Sequence, residues 1–351
     1  MRLLKTKKEI FRAYLVNFAA VVLMFMVLLA ASSQGLINRY ISGIIMTIFI
    51  NIILAVSLNI TTGFLGQIAL GHAGFMSIGA YSAALFVKYV QDGLGVTLLV
   101  KGSPTAAGTA YFLLSLVIGG LVAAFFGLIV GIPALRLKGD YLAIITLGFG
   151  EIIRVLIENL SFTGGAQGLK KIPKLATLNV VYIVMIICVA VMFMFIRSRH
   201  GRAIMAIRED DIASEASGIP NTYYKVLAFT FAAFFAGVAG GIYAQYLAVL
   251  GAANFGFMKS IDILVMVVLG GMGSITGSIL SAVGLTALPE FLRQFSDYRM
   301  LIYSVVLIVV MIFKPSGLLG TYEFSLTRVI DRLFGKRTKK PAKAEKGGAN
   351  E

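Results

Sequence analysis

Long apolar runs, separated by short polar segments, recur along the whole chain and limit the folds that it can adopt. Hydrophobic residues make up 58% of the 351 positions and charged residues only 13%, and the mean hydropathy is +0.90. Several runs approach the roughly 20 residues that an α-helix needs to cross a bilayer. The sequence therefore predicts an all-α fold, a polytopic helical bundle that is integral to a membrane.

Ten spans are predicted from these runs, two of them short. They cover residues 13–31, 41–60, 68–87, 111–133, 141–157, 178–196, 224–247, 261–272, 276–290 and 300–313. The first run is longer than the roughly 7–15 apolar residues at the core of a signal peptide, which favours an uncleaved first span. If residues 261–290 form a re-entrant hairpin instead of two spans, the total becomes eight and the orientation is unchanged.

The basic residues are concentrated in three places. There are 31 Lys and Arg residues against 16 Asp and Glu residues, a net charge of +15, and much of the excess falls in a basic N-terminus at 1–12, a loop at 197–222 and a tail at 321–351. Basic flanks of apolar spans are typical of cytoplasmic segments, which argues against nucleic acid as the partner and predicts that both chain ends are cytoplasmic. Residues 13–320 form the transmembrane domain. The tail is predicted to be disordered, with contact to membrane lipid headgroups as the alternative.

The loop at residues 197–222 is as polar as its flanks are apolar. Within its run GRAIMAIREDDIASEASGI, Asp210 and Asp211 can cap a short helix over residues 212–217. Gly218 suits the left-handed turn after this helix, and Pro220 prevents its continuation. Four arginines at or just before the helix indicate the cytoplasmic side: Arg197, Arg199, Arg202 and Arg208.

Glycine-rich segments with isolated polar side chains mark the predicted interior of the bundle. Small residues recur at i, i+4 spacing near 69–77, 232–244 and 270–281, and such stripes let helix backbones touch in a membrane. In TTGFLGQIALGHAGFMSIGAY, residues 61–81, Gln67 and His72 interrupt the glycine-rich stretch, and Asn59 lies just before it. A polar group at this depth needs a partner or water. All three are therefore candidates to line a pathway, with hydrogen-bonded packing as the alternative for His72.

Absent motifs help to distinguish three classes of membrane protein: a permease driven by separate ATPase subunits, an ion-coupled secondary transporter and a membrane-embedded enzyme. No G-x-x-x-x-G-K-[ST] phosphate loop occurs, so the chain is not predicted to hydrolyse ATP. No H-E-x-x-H or G-x-S-x-G run occurs, and Cys188 has no second thiol, which argues against an enzyme, a disulfide or a metal site. Apart from Glu290 at the end of one span, Glu151 and Asp262 are the only carboxylates within predicted spans. So few carboxylates argue against an ion-coupled secondary transporter. A permease driven by separate ATPase subunits fits these observations best.

Five segments, in matching order, resemble the LivM-type permease subunits of bacterial branched-chain amino acid ABC importers. They are GQIALGHAGFMSIGAYSAAL at 66–85, KGDYLAIITLGFGEIIR at 138–154, GRAIMAIREDDIASEASGI at 201–219, LGGMGSITGSILSA at 269–282 and YRMLIYSVVLIVVMIFKPSGLLG at 298–320. The resemblance implies a permease of the bacterial cytoplasmic (inner) membrane that carries leucine, isoleucine or valine by alternating access. Permeases for urea, short amides or other amino acids look alike in the same segments, so these remain alternative cargoes.

The resemblance also implies partners and site residues. The partners are a LivH-type permease, ATPase subunits of LivG and LivF type that bind ATP and Mg, and a periplasmic or lipid-anchored substrate-binding protein; no cofactor is expected in this chain. The loop at 197–222 matches the coupling segment that contacts an ATPase, and the residues carried over are Arg202, Arg208, Glu209, Asp210, Asp211, Glu215 and Gly218. The predicted pathway residues remain Asn59, Gln67 and His72.

Overall fold

The computed structural model describes residues 38–320, apart from positions 94, 101–102, 136, 138, 296–297 and 315, together with residues 19, 22–30 and 34. The chain divides into two compact units, Met1–Leu36 with Phe324–Glu351, and Ile37–Glu323. In the first unit, residues 22–30 are helical and belong to the predicted span at 13–31. The other residues of that span apart from residue 19, the basic N-terminus at 1–12 and the tail at 321–351 lie outside the described residues.

The second unit is helical, as its apolar runs predict. Its α-helices are α1 (Arg39–Asn59), α2 (His72–Gly93), α3 (Ala106–Ala134), α4 (Asp140–Asn159), α5 (Leu178–Arg197), α6 (Arg199–Glu209), α7 (Asp211–Ala216), α8 (Asn221–Leu247), α9 (Phe257–Gly270), α10 (Ile275–Phe291) and α11 (Arg299–Phe313). Helix α1 continues into a π-helical turn, Ile60–Phe64, and 3-10 turns occur at Ser161–Thr163, Gly165–Gln167, Ala252–Phe255 and Leu292–Phe295. A two-residue hairpin, β1 (Leu99–Val100) antiparallel to β2 (Ser103–Pro104), lies between α2 and α3.

Seven helical segments in the described part of the chain are long and apolar enough to cross a membrane. They are Arg39–Phe64, His72–Gly93, Ala106–Ala134, Leu178–Arg197, Asn221–Leu247, Ala252–Gly270 and Ile275–Phe295, and each corresponds to one predicted span. Of the other three predicted spans, 141–157 is α4, 300–313 is the shorter helix α11, and 13–31 is described only at residues 19 and 22–30.

One predicted boundary is wrong. The span expected at 68–87 begins instead at His72, because residues 66–71 are not helical and Gly66 has a left-handed φ of +77°. The backbone N–H of Leu70 donates to Thr146 Oγ1 (3.0 Å) rather than to a helical carbonyl. Periodicity of apolar residues could not reveal this break, since the side chain that stabilises it comes from α4.

Close contact between α2, α3 and α8 forms the centre of the unit. Glycines let these backbones touch: a Cβ atom on Gly79 would lie 2.2 Å from Cα of Gly237, and one on Gly240 would lie 2.0 Å from the carbonyl oxygen of Met76. Because lipid gives helices no hydrophobic drive to associate, close backbone packing contributes much of the attraction between them. The predicted stripe of small residues at 232–244 lies in this interior.

The connections between helices lie on two opposite faces. On one face, which we call the loop face, Arg208 of α6 contacts Gly63 in the π-helical turn, and Leu318 N–H donates to the carbonyl oxygen of Leu269 near the end of α9 (2.7 Å). On the other, the far face, Leu169 between α4 and α5 forms a β-bridge with Leu250 after α8. The faces are opposite because α5 runs from one to the other.

Candidate functional site

The polar loop between α5 and α8 contains two helices rather than one. Helix α7 confirms the prediction: Asp210 Oδ1 accepts hydrogen bonds from the N–H groups of Ile212 and Ala213, both at 2.9 Å, and Gly218 has a φ of +83°. The eleven-residue helix α6 precedes it and was not predicted. Ser198 caps α6 by accepting from the N–H groups of His200 and Gly201, a signal that the sequence does contain.

Asp211 does not cap a helix, contrary to the prediction. Its carboxylate forms an ion pair with Lys225 (2.9 Å) and accepts a hydrogen bond from Asn221 Nδ2 (2.8 Å). Ser214, the buried residue of α7, donates to Asn221 Oδ1 (3.0 Å). These bonds connect α7 to the first two turns of α8. The short helix is therefore anchored to a long one, although six residues alone would form a marginal helix.

The remaining surface of α7, and of the turn that follows it, is exposed. Among the predicted coupling residues, Arg202, Arg208, Glu209, Glu215 and Gly218 are exposed, and so is Asp210 apart from its capping bonds. Ile212 is 78% exposed and was not named as a site residue. A large apolar side chain on a short, anchored helix is a typical anchor for a partner protein. Its sequence signal is weak, because one isoleucine in a capped helix is equally typical of a residue packed inward.

Arg208 is exposed, yet its side chain also contacts the bundle. Its Nη1 donates to the carbonyl oxygen of Gly63 at 2.6 Å, one of the terminal carbonyls for which a helix offers no partner of its own. Its alkyl chain lies against Gly66, where an added Cβ would be 3.0 Å from Arg208 Cγ. An added Cβ on Gly273 would be 2.8 Å from Arg208 Nη1. One side chain therefore contacts two non-helical segments, which we call the first break (residues 66–71, before α2) and the second break (residues 271–274, before α10).

Asn59 joins α1 to the second break. Its Nδ2 donates to the carbonyl oxygen of Ser274 (2.9 Å) and to Ser278 Oγ (2.8 Å), and its Oδ1 accepts from the N–H of Gly273 (2.9 Å). The side chain is fully buried. Gly63 has no room for a side chain beside it, since a Cβ there would lie 1.7 Å from Asn59 Oδ1. Asn59 and Arg208 thus connect the π-helical turn to the same second break.

His72 begins α2 directly after the first break. The side chain is buried, and its Nε2 lies 2.8 Å from Ser57 Oγ, which in turn donates to the carbonyl oxygen of Leu54. Both contacts are satisfied when His72 donates through Nε2. Ala73 N–H donates to Ser260 Oγ of α9 (3.2 Å). The contacts observed for His72 are those of hydrogen-bonded packing at the start of a helix.

Gln67 lies within the first break and differs from the other two predicted pathway residues. It is partly exposed, and its backbone N–H donates to the carbonyl oxygen of Thr61 (3.0 Å). Its side-chain carbonyl, Oε1, is buried without a hydrogen-bond donor among the described residues. The described residues also contain no group of three or more side chains suited to a metal ion.

Comparison with known proteins was made by family, by relative and by solved structure. Residues 40–313 match the family described as branched-chain amino acid transport system / permease component. The chain is 37% identical over 293 residues to the high-affinity branched-chain amino acid transport system permease protein LivM of Salmonella typhimurium, and 36% identical over the same length to that of Escherichia coli K12. A shorter match, 31% over 147 residues, covers 41% of this chain and 47% of the Escherichia coli LivH permease protein. No solved structure matches.

The two LivM matches cover 73% of this chain and 64% of each relative, so the chain spans somewhat less than two thirds of their length. The family match, in contrast, runs from the start of α1 to the end of α11. It includes the loop, both breaks and all seven candidate spans. This multi-pass inner-membrane protein belongs to the branched-chain amino acid transport system permease family.

Proposed function

We propose that this chain is the permease subunit of an ATP-driven importer of branched-chain amino acids. The names of its LivM and LivH relatives support the cargo and a pair of permeases. The lack of a phosphate-loop motif in the sequence supports separate ATPase subunits as the source of energy. LivG-type and LivF-type ATPases and a substrate-binding protein complete the proposed assembly.

The Arg208 contact carries the proposal. Its hydrogen bond to Gly63 (2.6 Å) joins the loop to the end of the first candidate span, and hydrogen bonds from a charged donor are shorter and stronger than neutral ones. Movement of α6 would therefore act on the π-helical turn and on both breaks. Such turns are frequent at functional positions in helices. We propose that α6 and α7 transmit closure of the ATPases to the spans through this contact, which opens and closes the passage by alternating access.

The open surface of α7 is the proposed contact with an ATPase. Ile212 would enter an apolar pocket of the partner, surrounded by the exposed charges of Glu209 and Glu215. The bonds from Asp211 and Ser214 to α8 keep the helix in position. This role requires the loop face to be cytoplasmic, as the positive-inside rule predicts for its arginines.

The breaks are the proposed moving parts of the passage. Asn59 and His72 hold them in the observed arrangement, and the free Oε1 of Gln67 is available to a passing polar group. We propose that all three become accessible from the passage when the breaks rearrange. Access of a water-soluble reagent to cysteines placed at these positions, with and without ATP, would detect that change.

Reconstitution of the chain with its permease partner in vesicles, with and without the two ATPases and the binding protein, tests the proposal. We expect leucine uptake to require ATP and all of these subunits, because no other energy source is assigned to the assembly. Uptake by the permease chains alone, driven by an ion gradient, would contradict the proposal. It would instead identify a secondary transporter.

A further inference from the structure

Lys259 and Asp262 form a pair of opposite charges inside an otherwise apolar helix. They lie three positions apart on α9, so they share one face of the helix. Lys259 contacts Asn51, which is near the middle of the 26-residue span Arg39–Phe64. Charged residues at this depth are expensive and normally serve a pathway or a binding site.

The two charges do not form a direct ion pair with each other. Lys259 Nζ donates instead to Asn51 Oδ1 (3.3 Å), and Asn51 Nδ2 donates to Thr286 Oγ1 of α10 (2.9 Å). No ion pair of Lys259 or Asp262 is found among the described residues. An ammonium group has three donors, and the contact with Asn51 uses one. The remaining donors of Lys259 have no hydrogen-bond partner among the described residues, and the side chain is partly exposed.

A second pair in the same fold shows the contrasting arrangement. Glu151 and Arg154 of α4 are also opposite charges three positions apart, and they close directly on each other at 2.7 Å, with Glu158 at 3.0 Å from the same guanidinium. The guanidinium of Arg154 is thus paired with two carboxylates and needs no ligand to balance its charge. Spacing alone therefore does not explain why the charges of Lys259 and Asp262 stay separate.

Asp262 is exposed on the surface of the chain. A carboxylate within a span cannot face hydrocarbon at low cost, so this face of α9 must border water or polar protein. Its neighbours on the helix are apolar and include the exposed Met258 (74%). The result is a largely apolar wall with one positive and one negative group, which matches the chemistry of an amino acid with an apolar side chain.

We propose that Lys259 and Asp262 bind the two charged ends of an α-amino acid zwitterion as it crosses the membrane. The carboxylate of the ligand contacts Lys259, which Asn51 orients, and its ammonium group contacts Asp262. The ligand's side chain lies along the apolar residues of α9. This site rests on the proposed function, which supplies the amino acid as cargo, and it assigns residues that the loop and the breaks do not include.

The test uses the complete complex, solubilised without its binding protein, and measures binding of radiolabelled leucine. Two competitors each lack one end of leucine: 4-methylpentanoate has no amine and 3-methylbutylamine has no carboxylate. In the wild type, we expect both to compete roughly tenfold or more weakly than leucine, since each leaves one charged group unpaired. Asp262→Asn should weaken leucine binding and make 4-methylpentanoate compete as well as leucine, and Lys259→Gln should do the same for 3-methylbutylamine.

Matched variants separate a binding role from a structural one. Lys259→Arg and Asp262→Glu should keep the wild-type order of competitors, and Arg154→Gln, in the closed pair of α4, should not change it. Because Asp262 is exposed, Asp262→Asn alone tests the site if Lys259→Gln is not recovered in the membrane. An unchanged order of competitors in Asp262→Asn would overturn the site. If the wild-type complex shows no ATP-driven uptake of leucine, the proposed function is wrong instead.

Discussion

At the scale of single residues, the loop contains side chains of two kinds. Arg208 and Asp211 bond to their own chain, at Gly63 and at Lys225, whereas the exposed side chains of Ile212 and Glu215 form no hydrogen bond or ion pair among the described residues. All but Ile212 were predicted together as contacts for an ATPase. We therefore propose a different task in the same process for Arg208 and Asp211, that of joining the loop to the spans.

Replacement of Arg208 by glutamine should uncouple ATP hydrolysis from uptake. A hydrogen bond to a charged group contributes about 1.5–3 kcal/mol, so we expect uptake per ATP hydrolysed to fall roughly tenfold or more. The ATPases should still copurify with the permease, because the proposed contact through Ile212 and the exposed surface of α7 is unchanged. Both activities would be measured on the same reconstituted complex.

Arg202→Gln is the matched control for Arg208→Gln. Arg202 lies on the same helix and is exposed, and the only hydrogen bond of its side chain among the described residues is to the carbonyl oxygen of Arg197 (3.2 Å). The uptake per ATP hydrolysed by the Arg202→Gln complex should equal that of the wild type. If Arg208→Gln loses the ATPases during purification, Arg208 contacts the partner directly and its proposed internal role is wrong.

At the scale of elements, close approach of backbones decides which helices form the centre. Gly240 of α8 lies so near α2 that a Cβ atom would be 2.0 Å from the carbonyl oxygen of Met76 and 2.9 Å from the N–H of Ala80. The small-residue stripe of α8 was predicted to lie in the interior. Which glycine contacts which helix depends on the crossing of α2, α3 and α8, and spacing along one helix does not define that crossing.

Gly240→Ala should therefore destabilise the bundle by separating α2 from α8, at a cost of about 1–3 kcal/mol for overpacking. Gly284→Ala in α10 is the control, since a Cβ there meets no atom within 4 Å, and alanine should match or exceed glycine in helix stability there. Thermal unfolding of the purified complex in detergent would compare them. If both variants melt at the same temperature, α2 and α8 can move apart without a loss of stability, and the expected cost of overpacking is wrong.

Over the whole molecule, exposed basic residues occur on both the loop face and the far face. The loop face has the arginines of α6, and the far face has an exposed group of lysines between α4 and α5: Lys170, Lys171 and Lys174. These lysines weaken the positive-inside bias, so the charge pattern alone is not a sufficient basis for orientation. The proposed coupling role requires the loop face to be the cytoplasmic one.

Single cysteines at Glu215 and Lys170 should be labelled from opposite sides of the membrane. A reagent that does not cross membranes should label Lys170→Cys in intact cells and Glu215→Cys only in inverted vesicles. The native Cys188 is buried, so its background should be low, and Cys188→Ser provides the control. Labelling of Glu215→Cys from the outside would reverse the orientation and contradict contact with a cytoplasmic ATPase.

The sequence by itself determined the features that depend on neighbours along the chain. Apolar runs of sufficient length predicted helical spans, Asp210 and Gly218 predicted the start and end of α7, and the absence of a phosphate loop pointed to ATPases on other chains. These signals are local because a cap, a left-handed turn and a span each arise within a few turns of helix.

Only the tertiary structure decided which distant groups meet. Arg208 and Gly63 are 145 positions apart, Asn59 and Ser278 are 219 apart, and Lys259 and Asn51 are 208 apart. A polar side chain in a span needs a partner. The amino-acid sequence does not show whether that partner is on a neighbouring turn, on another helix or on a ligand. The packing of α1, α6, α9 and α10 makes that choice. It closes Glu151 on Arg154 and leaves Lys259 and Asp262 apart.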